Sequence, residues 1–467
     1  MRSRVSRHLA PVLEERALIA EPIFKVAFVP SDAAEVPELL ASRPPPEFNW
    51  RDYTTMLLHV AAEIEHSLMV QYLFAAYSLG GPQVPPELRA DVRAWQETIL
   101  GIAKEEMGHL VTVQNLLTAF RAPLNLDRED YPWGTDFYPF EFSLQRLTLD
   151  SLATYVCAES PADWEGPEAD AIRERAAGEA GAPVNRVGAL YELLTGILGD
   201  RDRIPDTAFN AATVPHQASW DEWGRGYREG QRGQEGSNVP GVPAPDLLIL
   251  QVSSRDTAVG AIAEIGEQGE AVGAIGSTDP GDAGEESHFR RFLAVYEAIE
   301  KLDGPTQGLV SRAVMENPST STIEDDTARL WAHLFNLRYR MLLVDLAHAF
   351  ELAEAPGLPT SATARGALVN RTFTEMYNLR AIAGALVDLP ASGDGETRAG
   401  PPFEMPYSLE LPPHEHDRWL LHRDLLQAAA ALIESLEPVA SAQGVAYLTA
   451  LAESDALVLE QVERMAR

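Results

Sequence analysis

The sequence predicts an all-α protein: a four-helix bundle with long insertions, followed by an additional C-terminal helical region. Three observations predict it. Apolar residues recur at helical spacing along most of the chain, and the alternation typical of strands is nearly absent. Two long helical segments carry acids and a histidine inside otherwise apolar stripes.

Residues 1–50 form a lead-in that ends in a proline-rich run, Ala41–Ser–Arg–Pro–Pro–Pro–Glu–Phe, which cannot be helical throughout. The bundle is expected over residues 51–310. Its first helix reads as Asp52–Leu79, stopped by Gly80–Gly81–Pro82, and its second as Pro86–Phe120, opened by prolines. An irregular aromatic stretch, Tyr131–Phe142, leads to a helix over Leu144–Ala158, and Asn185–Leu198 reads as a third bundle helix. The polar segment Gly199–Val242 is too long for a simple connector and suits a lid or loop. Helical pattern returns at Thr257–Val272, breaks over a Gly-rich stretch, and resumes at Glu285–Leu302. A C-terminal region, residues 311–467, carries helices over Thr327–Glu354, Ala362–Leu386, His414–Ser435 and Gly444–Met465. The best strand candidate is the short run FKVAFV at residues 24–29.

Composition narrows the function. Acids outnumber bases 70 to 37, a formal charge of −33, with only three lysines, Lys25, Lys104 and Lys301. So negative a surface repels phosphate backbones and anionic lipid, which disfavours nucleic-acid and membrane partners. Cys157 is the single cysteine, so neither an intramolecular disulfide nor a cysteine-based metal site is expected. The N-terminus lacks the apolar core of a signal peptide, no run of about 18 uncharged apolar residues exists, and a cytoplasmic protein is the default.

The informative residues are acids where a core should be. In the first helix the stripe Leu58, Ala61, Ala62, Glu65, Leu68, Met69, Tyr72 contains one charge, Glu65; Glu63, His59 and His66 fall on the opposite face. A lone buried carboxylate costs several kcal/mol unless paired, protonated or bound to metal. The second helix repeats the anomaly in the stripe Trp95, Ile99, Ile102, Glu106, His109, Val113, Leu117, while Glu105 falls on the outer face beside Gly101, Gly108 and Thr112. Glu106 and His109, three residues apart, share one helix face and can share one metal. A two-metal bundle needs a matching set from its second half. Glu192 is the only acid of the third bundle helix. Two candidates follow it: Glu270, which continues the stripe of Val259, Ile262, Ala263 and Gly266, and Glu285, which forms a Glu–Glu–Ser–His run with His288. Tyr72, one heptad after Glu65, suits either core packing or a redox or hydrogen-bonding place beside the metals. His59, His66, His333 and His348 suit surface or structural roles.

The segments EIEHSLMVQYLFAAYSL, EEMGH, EQGEA, ESHFRRF and AGPPFEMP resemble the ferritin-like family that includes the C-terminal part of the violacein-pathway iminophenyl-pyruvate dimer synthase. The resemblance runs from about residue 50 to the C-terminus and implies a ferritin-like four-helix bundle. It also implies that Glu270 and His288 form the second pair, separated by a loop. Where it leads one to expect Glu in an IGELY-like segment, this chain has Ala189, with Glu192 three residues on to substitute.

Carboxylates with two imidazoles suit two iron ions (Fe2+/Fe3+), with manganese as the alternative. Such a site activates dioxygen. The insertions and the C-terminal region favour an oxidoreductase acting on a small organic molecule, in specialised metabolism, over ferroxidase or iron handling and over a non-enzymatic helical scaffold. Small-molecule substrate and dioxygen are the expected partners, with a homodimer or a pathway partner enzyme beside them. Without metal the clustered carboxylates should repel one another, so Glu106→Gln is expected to raise the melting temperature of the apo protein.

Overall fold

The computed structural model describes residues 44–135, 138, 140–161, 164–177, 187–223, 247–270, 287–354, 363–393, 395–405 and 409–467. The FKVAFV run, most of the lead-in, residues 224–242 of the polar segment and Glu285 lie outside these residues, as do the side chains of Ala189 and Glu270.

Helix α1, Trp50–Ser78, starts where the Asn49 side chain accepts from the Asp52 amide at 3.0 Å. It stops because Gly80 and Gly81 take φ of 84° and 115°, a region that L side chains rarely enter. A single 3-10 turn, Pro86–Leu88, then leads into α2, Arg89–Ala119. The third helix is shorter than expected: α3, Leu149–Ala158, begins at a Thr148–Ser151 capping box that ends the extended approach from Leu144. Next come α4, Pro167–Ala177, which the periodicity did not mark, α5, Val187–Gly199, α6, Arg255–Glu270, and α7, His288–Glu300. The C-terminal helices are α8, Asp326–Glu351, α9, Ala364–Leu386, α10, Glu415–Leu436, and α11, Ala442–Met465.

The long helices α1 and α2 pack along each other. Shorter helices complete the bundle: α5 packs on α1 and α6, and α7 packs on α2, α3 and α6. In the C-terminal region α8 packs on α9 and α10, and α10 on α11, while α9 also touches α1. One contiguous apolar core runs through both regions. Among the described residues the extended pairings are isolated bridges, such as Trp133 with Phe142. No described helix is long and apolar enough to cross a membrane.

Candidate metal centre

Glu65 on α1 and Glu106 and His109 on α2 all point into the bundle, each 2% exposed. The ring Nδ1 of His109 lies 2.9 Å from Glu106 Oε2 and 3.2 Å from Glu65 Oε2. His288, the first residue of α7, is fully buried, and its Nδ1 lies 3.0 Å from Glu106 Oε1 and 3.7 Å from Glu159 Oε2. Two ligand sets result: Glu65, Glu106 and His109, and Glu106, Glu159 and His288. Within each set one donor atom per residue lies within 4.8 Å of the others. Glu106 belongs to both.

The two outer carboxylates and both rings of the two sets are braced from behind. Tyr191 on α5 donates its hydroxyl to Glu65 Oε1, and Tyr72 on α1 donates to Glu159 Oε1. His109 Nε2 meets Gln268 Oε1 at 2.7 Å, and His288 Nε2 meets Glu105 Oε2 at 3.0 Å. Arg291, one helical turn after His288, closes on both oxygens of Glu105.

The charges are strongly coupled. Burial and the neighbouring Glu106 push the Glu65 carboxyl up to about 8, against the opposing pull of His109. Burial alone would lower His109, but its bonds to Glu106 and Glu65 prevail and raise it to about 10. Burial likewise opposes protonation of His288, yet Glu106 and Glu105 hold it well above the usual imidazole range. Against its own burial Glu106 stays below the usual carboxylate range because His288 and His109 face it. Glu105 is held at about 2, burial being outweighed by Arg291 and His288.

These residues fit a pair of metal ions. Three carboxylates and two imidazoles form an oxygen-rich set with borderline nitrogen, suited to iron or manganese. Both rings turn Nδ1 toward the carboxylates and have Nε2 held on the far side, the arrangement that fixes a ligating histidine. His288 Nδ1 is the sharpest indicator: it is buried, and despite its short distances it makes no hydrogen bond of acceptable geometry. It lies within 3.0 Å of Glu106 Oε1 and 3.7 Å of Glu159 Oε2. Beside the first set lies a pocket of about 30 Å³, lined by Glu65, His109, Glu159, Tyr191 and Gly266 among others. One water needs about 10–15 Å³ measured this way, so a dioxygen-sized molecule fits.

Four expected ligands, Glu65, Glu106, His109 and His288, are brought together. Glu192 is not: it is exposed. On α5 the inward face is Leu190, Tyr191, Leu194 and Leu198, and the 100° step from Tyr191 turns Glu192 to solvent. Glu270 is the last residue of α6, two positions beyond Gln268, so the backbone brings it to the right end of the bundle. Glu285 lies outside the described residues; α7 starts at His288, with Ser287 as its N-cap at ψ of 163°. Tyr72 combines both expected roles, its ring packed on Phe292 at 4.8 Å and its hydroxyl on Glu159.

Glu105 corrects the sequence reading outright. Its face of α2 is covered, with Glu105, Thr112 and Gly108 all buried. A Cβ on Gly108 would come within 3.0 Å of the Leu248 amide nitrogen, and Gly101 lies against Arg291. Glycines at 101 and 108, a heptad apart, were the signal of close approach. Glu159 was missed although it continues the stripe of Leu152 and Val156 at the end of α3; Tyr191 carried no signal at all. The expected repulsion is present between Glu65 and Glu106 and helps push Glu65 up to about 8. At Glu106 itself the balance differs: His109 and His288, both held above the usual imidazole range, face it, which reverses the expected effect of Glu106→Gln.

Comparison with known proteins agrees with this geometry. A family model described as Ferritin-like matches residues 58–297, which include all five residues of the two candidate sets. The chain is similar to the dichlorochromopyrrolate synthase of Lentzea aerocolonigenes, 29% identical over 395 residues that cover 76% of this chain and 36% of that protein. It thus spans about a third of the length of that relative. No solved structure matches the chain. With over half of its residues inside the family match and a bundle that carries the paired ligand sets, the chain belongs to the ferritin-like family.

Proposed function

We propose that the chain is a two-metal oxidoreductase that activates dioxygen, with iron ions (manganese as the alternative), against a small organic molecule in specialised metabolism. The observation that carries this reading is the pair of ligand sets sharing Glu106 in a buried, braced site. The relative named for making dichlorochromopyrrolate supports the metabolic setting.

Two bound iron ions supply the electrons for a two-electron reduction of dioxygen. The protein's residues do the rest. Glu106 would help hold both ions, and Glu65 and Glu159 would hold one each. Tyr191 and Tyr72 fix those two carboxylates through one hydroxyl each, which leaves Glu65 Oε2 and Glu159 Oε2 turned toward the rings. Gln268 and Glu105 take the Nε2 protons, so both rings present Nδ1 inward. The ligating groups are buried, and the space beside them admits a dioxygen-sized molecule. Tyr191, at the wall of that space, holds a phenol proton beside Glu65 where a reduced oxygen species would need one.

One observation favours a second reading, oxidation of ferrous iron itself: the space of about 30 Å³ is too small for an organic ring. Stoichiometry separates the two. Protein reconstituted anaerobically with ferrous iron should hold about two irons per chain and consume dioxygen once per filled site. Uptake of many irons per chain would support iron handling, and fewer than half an iron would overturn both readings.

A further inference from the structure

Among the described residues the two metal positions present the same kinds of group: a carboxylate, a tyrosine hydroxyl, an imidazole and the shared Glu106. Each has one terminal carboxylate, Glu65 or Glu159, and each of these accepts one tyrosine hydroxyl. Each has one histidine with Nδ1 inward, and both share Glu106. The difference lies behind the rings. His109 gives its Nε2 proton to a neutral amide, Gln268 Oε1, at 2.7 Å. His288 gives its own to a carboxylate, Glu105 Oε2, at 3.0 Å.

We infer that Glu105 and Arg291 make the two positions unequal, so that the Glu106–Glu159–His288 position binds its metal more tightly and fills first. This rests on the two-metal reading above. A hydrogen bond to an ionised acceptor is roughly twice as strong as one to a neutral acceptor. It pulls the Nε2 proton away from the ring and makes the metal-facing nitrogen more basic. Glu105 cannot instead swing in as a ligand, because Arg291 and His288 occupy its oxygens. Arg291 keeps Glu105 ionised, and the carboxylate stands between the guanidinium and the ring, so the ring feels the anion first. The arrangement is also rigid. Glu105 and Glu106 are consecutive on α2, while His288 and Arg291 are one turn apart on α7, and all four are buried. Gln268 comes from a third helix, α6, and supports His109 as a neutral amide. Partners behind a ligating histidine typically change metal affinity by about 10–100-fold, the difference expected between the positions.

Sharing Glu106 weakens the second ion in any case, so two binding steps alone do not decide the matter. The test is which position fills first. Apo protein is titrated anaerobically with Co2+, read by calorimetry and by the visible bands of the bound ion. His288→Ala should abolish the tight step, and His109→Ala should leave it in place. Glu105→Gln should weaken the tight step by about 10–100-fold and leave the second nearly unchanged. Because Glu105→Gln strands Arg291 and can destabilise the fold, Gln268→Glu serves as the second variant. It should tighten the weaker step, a gain that structural damage cannot produce. A tight step that survives His288→Ala and is lost in His109→Ala would overturn the inference and leave the two-metal site standing. So would a tight step indifferent to Glu105→Gln together with a weak step indifferent to Gln268→Glu. Wild-type protein that binds no Co2+ would overturn both.

Discussion

Glu106→Gln tests the site at its centre. Glu106 is 2% exposed, with one oxygen 2.9 Å from His109 Nδ1 and the other 3.0 Å from His288 Nδ1. In protein stripped of metal, both rings are protonated at neutral pH and the carboxylate offsets them. Glutamine keeps the shape and removes the charge, leaving two buried imidazolium rings against an amide. Removing one partner of a buried ion pair costs about 3–5 kcal/mol. Part of the raised proton affinity of His109 comes from Glu106 itself, so loss of that ion pair accounts for the whole cost. Unfolding entropy grows by about 2.1 cal/mol/K per residue, so a 467-residue chain melting as one unit loses roughly 1 °C per kcal/mol. Apo Glu106→Gln should therefore melt about 3–5 °C below apo wild type by calorimetry in chelator. With ferrous iron present the gap should widen, because the variant binds one ion or none. An apo variant melting at or above wild type would refute the balance of charges described here, and repelling carboxylates would be the better account.

Four further outcomes follow from the same structure. Tyr191→Phe removes the hydroxyl held on Glu65, and since a hydrogen bond to a charged group contributes about 1.5–3 kcal/mol, iron at the Glu65–Glu106–His109 position should bind at least tenfold more weakly by calorimetry; unchanged affinity would show that the phenol does not brace this carboxylate. Glu192→Ala should leave iron content at the wild-type level, whereas Glu270→Ala should lower it if Glu270 completes the centre, and equal iron in both would remove Glu270 from the ligand set. His348, lowered to about 3 by burial and by the neighbouring His422, binds its proton only in the unfolded chain between pH 6.5 and 3, so wild-type stability falls as the pH drops through that window. His348→Gln should flatten that acid slope in chemical denaturation by up to about 1.4 kcal/mol per pH unit, and parallel slopes would contradict it. Glu65 and His109 are raised to about 8 and 10, so apo protein should lose stability as the pH rises toward 10 while iron-loaded protein does not; melting curves with the same alkaline slope in both states would count against metal binding at these groups.

What could be read in the sequence, and what could not, follows from how each ligand is surrounded. Glu65, Glu106 and His109 interrupt long apolar stripes on helices of 29 and 31 residues, where periodicity is well sampled and a misplaced charge stands out. Glu159 closes a helix of only 10 residues, too short for its stripe to separate from chance. Glu192 misled because an acid is conspicuous and a tyrosine is not: the inward residue is its neighbour Tyr191, which any core could contain. Glu105 was hidden by tertiary structure. A face bearing Lys104, Glu105, Gly108 and Thr112 is polar by composition, and only the arrival of α7 and of Leu247–Leu250 turns it into an interior.

The same reasoning explains why the C-terminal helices matter to a centre they do not touch. The face of α1 opposite Glu65 carries His59 and His66, a composition that suggests solvent. Instead His66 is fully buried, with Nε2 on the hydroxyl of Tyr339 from α8 and no net tendency to protonate, since burial and Arg128 hold it well below the usual range. Arg128 also donates to Tyr339 and to the backbone oxygen of Phe403, and Asn125 donates to the oxygen of His59 at 3.1 Å. The segment after α2 is thereby pinned between α1 and α8. Helix α1 is thus gripped on two faces, by the ligand-bearing bundle on one side and by α8 and its flanking loops on the other. A helix held in this way cannot rotate to relax when a ligand is removed. Losses at Glu65 or Tyr72 should therefore appear as lost metal affinity, with little compensation from rearranged packing.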